Sequence, residues 1–193
     1  GLILIVIGLI IHLVSAFFRI YFSSGFSMLI VIAGLILYLF GKEMLKQNTF
    51  AVLFLIFMLP IPLVAVANIS LKMKLFAAQA STKILNMIGI AAMRDGSTIL
   101  MRHAYLIVGD PCSGLRSLIS LLALGALFAF FLKTTTIKKL ILFVCSAPVA
   151  LISNIVRILA LALVAEIYGQ KYTHGFLHDF MGMMVFVIAF VGL

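Results

Sequence analysis

Three residue types in this sequence could act together on a carbonyl: a cysteine at position 112, an arginine at 157 and histidines at 174 and 178. Cys112 sits in Gly109-Asp110-Pro111-Cys112-Ser113-Gly114, which reads as a strand-to-helix junction. A helix N-terminus favours negative charge, so this position is expected to lower the thiol pKa from ~8.5 and raise the thiolate fraction. Gly114 is expected to let a substrate backbone come close, and Ser113 to hydrogen-bond a reaction intermediate. Cys112 equally reads as a small buried hydrophobe. Arg157, in Ser153-Asn154-Ile155-Val156-Arg157, lies within an apolar run. At a bilayer centre an arginine costs about 2.5–3.5 kcal/mol on translocon scales. It either snorkels to headgroups or faces the interior and stabilises an anion, with Asn154 at i−3 on the same face.

His174 and His178 are spaced i, i+4, and on one helical face could hold a metal with Asp179. No third ligand is evident and no H-E-x-x-H occurs, so no metal and no cofactor is expected. A histidine that activates a cysteine for acyl transfer is the more economical role, and Asp110 or Asp179 could orient it. His12 and His103 lack such company: His12 is expected to be packed or lumen-facing, and His103 an exposed strand residue. Cys145 lies in an apolar helix about 9 Å in from the opposite boundary. That leaves the two cysteines roughly 20 Å apart in depth, whereas a disulfide needs Cα atoms within ~7 Å. They should not pair.

The elements that must position these groups follow from composition. Of 193 residues, 65% are hydrophobic and 10% charged, with a mean hydropathy of +1.34. A soluble domain carries roughly 25% charged residues, so this chain cannot cover a water-exposed surface and reads as a polytopic membrane protein. Fourteen Lys and Arg against five Asp and Glu leave a net charge of +9. The basic residues sit between apolar runs, where they mark membrane boundaries; nucleic-acid binding is not expected. No cleaved signal peptide is visible. The chain opens on Gly1 and stops inside an apolar run at Leu193, which reads as a fragment missing terminal spans.

A helix needs about 20 apolar residues to cross a bilayer. The expected fold is an all-α polytopic helical bundle, one transmembrane domain over 1–193. Its spans fall near 2–22, 26–40, 50–67, 115–132, 140–168 and 180–193, with Ser23-Ser24-Gly25 as the first connection. Between Asn68 and Pro111 the pattern changes. Lys72, Gln79, Lys83 and Asn86 recur opposite Leu71, Leu75, Ala78 and Leu85, as in an amphipathic interfacial helix. Arg94-Asp95-Gly96-Ser97 reads as a turn, and Thr98–Val108 as one or two short strands ahead of Cys112. Placing the Lys42–Lys46 and Lys133–Lys139 loops in the cytoplasm puts the 68–111 insert outside. Arg157, seventeen positions after Leu140, is then roughly 25 Å from the inner side. Cys112, Arg157 and the histidines thus converge at one depth, at the outer boundary.

The runs Pro111-Cys112-Ser113-Gly114-Leu115-Arg116-Ser117, Asn154-Ile155-Val156-Arg157-Ile158 and His178-Asp179-Phe180-Met181-Gly182 together resemble the exosortase/archaeosortase family of membrane cysteine transpeptidases. The resemblance implies Cys112 as nucleophile, Arg157 as catalytic arginine and His178 as catalytic histidine, the histidine being closer to the bacterial branch. It implies as partners exported proteins with a C-terminal tripartite tail: a short motif such as Pro-Glu-Pro, a transmembrane helix and a basic end. It also implies an inner-membrane location. The chief alternative is a small-anion or proton-coupled transporter using Arg157 and His174 or His178; neither midplane helix breaks nor inverted repeats support it.

Overall fold

The computed structural model describes residues 1–109, 112–169 and 176–191, the backbone alone at 176–179 and 191. They form two compact units, Gly1–Val66 and Ala67–Leu193. The architecture is all-α with one small sheet. Three described helices, Tyr21–Leu39, Leu63–Met87 and Thr136–Tyr168, are long and apolar enough to cross a membrane.

In the first unit α1 (Leu2–Phe17) and α2 (Tyr21–Leu39) pack antiparallel. Their axes approach closely because Gly8 and Gly34 present no side chain. A Cβ at Gly8 would lie 2.6 Å from Val31 Cγ2, and one at Gly34 2.9 Å from Ile5 N. Such small-residue seams are how helices associate where lipid removes the hydrophobic drive. Hydroxyls bridge the same seam: Ser15 Oγ donates to Ser23 Oγ at 2.9 Å, and His12 Nδ1 lies 3.1 Å from Ser24 Oγ. His12 is therefore tied to α2, yet exposed. These contacts explain why the connection is not at Ser23-Ser24-Gly25. Those residues are used inside the first turns of α2, and the chain reverses at Phe18–Ile20 instead, with Arg19 at φ 56. Ile20 N–H bonds back to the Ser15 carbonyl at 2.8 Å, closing the turn.

The expected span over 50–67 is also broken. α3 (Gly41–Gln47) and α4 (Thr49–Phe54) lead into a 3₁₀ turn at Leu55–Met58, and α5 (Leu63–Met87) begins only after Pro62. Leu59 is extended (φ −72, ψ 141), as the residue before a proline must be, and neither Pro60 nor Pro62 can donate a helical hydrogen bond.

In the second unit α5 turns inward a stripe of mostly small residues, Ser70, Ala77, Ala78, Ser81, Thr82 and Leu85. Lys72, Gln79, Lys83 and Asn86 face out as expected, but Leu71 is exposed too. The helix ends at Gly89 (φ 88). Asn86 then clamps the next strand, its side chain both donating to and accepting from the backbone of Ala92 at 2.9 Å. The sheet is a three-stranded antiparallel meander, β1 (Ala92–Asp95), β2 (Thr98–Met101) and β3 (Tyr105–Ile107). It has one strand more than expected, because Asp95 pairs with Thr98 and only Gly96-Ser97 are left as the hairpin loop. The positive φ of 59 at Gly96 suits so tight a connection.

Two helices then complete a hairpin, α6 (Leu115–Phe131) and α7 (Thr136–Tyr168), followed by α8 (Phe176–Val191). A Cβ at Gly125 would lie 2.8 Å from Ser146 Oγ, which fixes the α6–α7 crossing. The Phe128 and Phe190 rings are 5.8 Å apart, and Ser120 shares a cavity wall with Gly182. Both pairs have the same sequence offset, so α6 and α8 run in the same direction. The core joins α5, the sheet and α7 through Leu85, Ile99, Leu106, Val108, Ile158 and Leu161, and includes Cys112.

Candidate active site

Strand β3 delivers the chain directly to the site. Leu106 and Val108 turn inward while Tyr105 and Ile107 face out, so alternation anchors the approach to Cys112 in the core. Cys112 is 6% exposed and its N–H bonds to the Gly109 carbonyl at 3.1 Å. Its own carbonyl accepts from Asn154 Nδ2 at 3.1 Å. One turn of α7 therefore holds the cysteine backbone, and Arg157 follows Asn154 by three residues on the same face. Both line one small pocket with Ser153.

Gly114 caps α6 with φ 79, a left-handed conformation that favours glycine. A Cβ there would lie 2.7 Å from Asn154 Cγ and Nδ2. The space the glycine leaves is thus filled by Asn154, rather than kept open for a substrate backbone. Ser113 is buried and its Oγ accepts from Leu115 N at 3.4 Å, at the first turn of α6. The electrostatics also differ from expectation. Burial pushes the Cys112 thiol up, and the charge of Arg157 pulls it only part of the way back. Desolvation of the charged form outweighs the pull of the guanidinium here.

The third segment meets the second through Gly182. A Cβ at 182 would lie 2.9 Å from Arg157 Cζ and 3.0 Å from Nη2, so α8 gives the guanidinium its room. His178 lies on the described backbone of α8 one turn before Gly182, at a position on the same helical face. The shared α6–α8 offset sets it level with Arg116, at the end of α6 that follows Cys112. Asp179 is its neighbour on α8. His174, Asp110 and Pro111 lie outside the described residues. Among the described residues no three His, Cys, Asp or Glu side chains are grouped to hold a metal.

The other candidates separate cleanly. Cys145 is exposed on α7 and, like Cys112, is not in a disulfide. His103 is in the β2–β3 turn rather than a strand. It has a partner that sequence spacing did not suggest: its Nδ1 is 2.9 Å from Glu166 Oε1, and its N–H donates to Oε2 at 3.1 Å. Three further polar residues line the site, Arg116, Ser117 and Ser120, to which the sequence analysis assigns no role. Their signal was available: they are the only polar residues of α6, at i, i+1 and i+4.

Comparison with known proteins adds one finding. The sequence model described as transmembrane exosortase matches residues 1–193, the whole chain. No curated protein and no solved structure matches it.

Proposed function

This chain belongs to the transmembrane exosortase family, and from that premise we propose that it is a cysteine transpeptidase cutting C-terminal sorting tails of exported proteins. The observation that carries this reading is the grip of α7 on the cysteine. Asn154 bonds the Cys112 carbonyl, and Arg157, one turn on, is near enough to stabilise the thiolate.

In the proposed reaction Cys112 Sγ attacks the carbonyl carbon of the scissile peptide bond. A thiol held neutral by burial needs a base in the same step, and His178 takes its proton. Arg157 stabilises the oxyanion that develops; removal of one such donor typically costs ~10²–10³ in rate. The C–N bond then breaks, His178 returns the proton to the leaving amine, and a thioester remains on Cys112. Attack by an amine or water expels the thiolate and frees the protein. In this reading the site faces the outer side of the inner membrane, where a tail with its own transmembrane helix presents its motif.

The test is covalent trapping. The protein is co-expressed with a tailed substrate and its intact mass measured, with Cys112→Ala as control. A hydroxylamine-sensitive adduct absent from the control is expected. Tail processing that persists in Cys112→Ala would overturn the proposal.

A further inference from the structure

The sheet ahead of Cys112 has two outer edges, and they are finished differently. On β1 the Asn86 side chain covers Ala92, engaging both its N–H and its carbonyl. Arg94, whose backbone faces the same way, carries a charge. Side-chain cover and charge are how proteins blunt a strand that could pair further. The β3 edge has neither among the described residues. Met101 N–H donates to the Ala104 carbonyl at 2.9 Å, and Val108 N–H to the Ser97 carbonyl at 3.0 Å. With Ile99 opposite Leu106, residues 104, 106 and 108 turn their backbone groups toward β2. Antiparallel alternation sends those of Tyr105 and Ile107 to the other side. There the Ile107 carbonyl accepts from Gly109 N–H at 3.0 Å. The Tyr105 N–H, the Tyr105 carbonyl and the Ile107 N–H have no hydrogen-bond partner among the described residues. Helix α7 packs beneath the sheet, on Leu106 and Val108, and both edge residues are exposed.

We propose that the open edge of β3 binds the extended segment of the tailed substrate next to the cleaved bond, which joins the sheet as a fourth strand. The inference rests on the transpeptidase reading and deepens it, by naming how the same site holds its substrate. The three open groups run donor, acceptor, donor along one line, and a peptide backbone is the complement of that set. A lipid headgroup does not repeat N–H and C=O at strand spacing. Met93, Leu100 and Tyr105 form one exposed row across the strands, so an added strand would extend an apolar strip. The chain of β3 leads on to Cys112, so a peptide laid along it is carried toward the sulfur. This pairing fixes what the substrate must supply. In either orientation one substrate residue gives its N–H to the Tyr105 carbonyl. Its own carbonyl, and that of the residue two before it, accept from Tyr105 and Ile107. A single substrate amide N–H is therefore needed. Tyr105 is seven positions before Cys112, so their Cα atoms are at most about 25 Å apart. At about 3.3 Å per extended residue, the needed amide lies within about eight residues of the bond attacked.

An ester scan of the substrate tests this, with the full chain in phosphatidylcholine vesicles. In synthetic tail peptides each backbone amide near the cleavage point, the scissile one excepted, is replaced in turn by an ester, which keeps the shape and loses the N–H. One position is expected to slow processing by about tenfold, while the positions on either side of it change little. On the enzyme, Ile107→Pro deletes one outward N–H and leaves the pairing with β2 in place, as edge strands allow. Ile107→Ala loses the same exposed side chain and keeps the amide. Processing should be about 3- to 10-fold slower in Ile107→Pro than in Ile107→Ala. The ester scan needs no variant, so it decides the matter even where the proline impairs folding. Esters tolerated at every position would overturn the pairing, as would equal processing by the two Ile107 variants. A flat scan together with self-association that Ile107→Pro abolishes would instead assign the edge to a second copy of the chain. Cys112→Ala separates the two levels. If it processes tails as the unmodified enzyme does, the transpeptidase reading fails; if processing needs Cys112 but tolerates every ester, the edge proposal alone fails.

Discussion

Asn154 Nδ2 reaches across from α7 to the carbonyl of Cys112 at 3.1 Å, while its Oδ1 is buried with no hydrogen-bond partner among the described residues. An amide that satisfies one end on the nucleophile's own backbone, and leaves the other without a partner, sets the cysteine's position at an energetic cost. A buried orphan acceptor costs roughly 1–3 kcal/mol. Asn154→Leu is therefore expected to be near-neutral for stability, because the lost bond and the relieved orphan offset each other. Processing of a tailed substrate should nonetheless fall by about 10- to 100-fold, the scale of a small misplacement of a reacting group. Equal losses of stability and activity would contradict the positioning role.

Gly182→Ala probes the contact between α8 and Arg157. The new Cβ would lie 2.9 Å from Cζ, and the obstructed atom is the far end of a flexible side chain. The fold should survive and the guanidinium should swing away. Processing is expected to drop at least about tenfold, as when an oxyanion donor is displaced. Unchanged turnover would show that the guanidinium's placement does not matter to the reaction.

Gly114→Ala should be far more damaging to the fold. The φ of 79 alone costs roughly 1–2 kcal/mol for any residue with a Cβ, and that Cβ would also press on Asn154 at 2.7 Å. Overpacking adds typically 1–3 kcal/mol. Unfolding resistance in detergent is the measurement, and a loss below about 1 kcal/mol would count against this geometry.

The pH dependence of Cys112 alkylation follows from burial. Its thiol titrates above the ordinary range because desolvation outweighs the pull of Arg157. With iodoacetamide the rate should keep rising with pH through the range in which a free thiol levels off. Arg157→Leu removes the cation that favours the thiolate, so it should move the profile further up in pH. A downward shift would mean that Arg157 does not act on the thiolate electrostatically.

Arg19→Gly is expected to stabilise the first unit by about 1 kcal/mol, because glycine takes the left-handed turn without the Cβ penalty. Glu166→Gln should cost less than about 1 kcal/mol, since its partner His103 is largely exposed. Both are read by detergent denaturation. A larger loss at 166 would mean that the sheet depends on that pair.

The membrane class, the sheet ahead of Cys112 and the three helices around it were legible from hydropathy and from the spacing of a few polar residues. Helix ends were not. The reversal at Arg19 carries no Gly or Pro, and Ser23-Ser24-Gly25 mimic a turn because they are small and polar for a different reason: they face His12, Ser15 and Leu59 across a seam. Pro60 and Pro62 were visible, but only the extended Leu59 shows that they end one helix and start another. At the site, residue types pointed to Cys112 and Arg157. The roles of Gly114 and Gly182 depend on neighbours forty and twenty-five residues away, a relation that no local pattern encodes. The thiol's titration likewise turned on how deeply the core encloses it.

Because Cys112 is packed among Leu85, Ile99, Val108 and Ile158, durability and speed draw on the same set of side chains. A substitution that trims this cluster widens access to the sulfur and loosens what holds the unit together. Selection for faster processing should therefore recover fragile variants, repaired by second changes far from the cysteine. A thermostabilised version made by tightening the same cluster should be a slower enzyme.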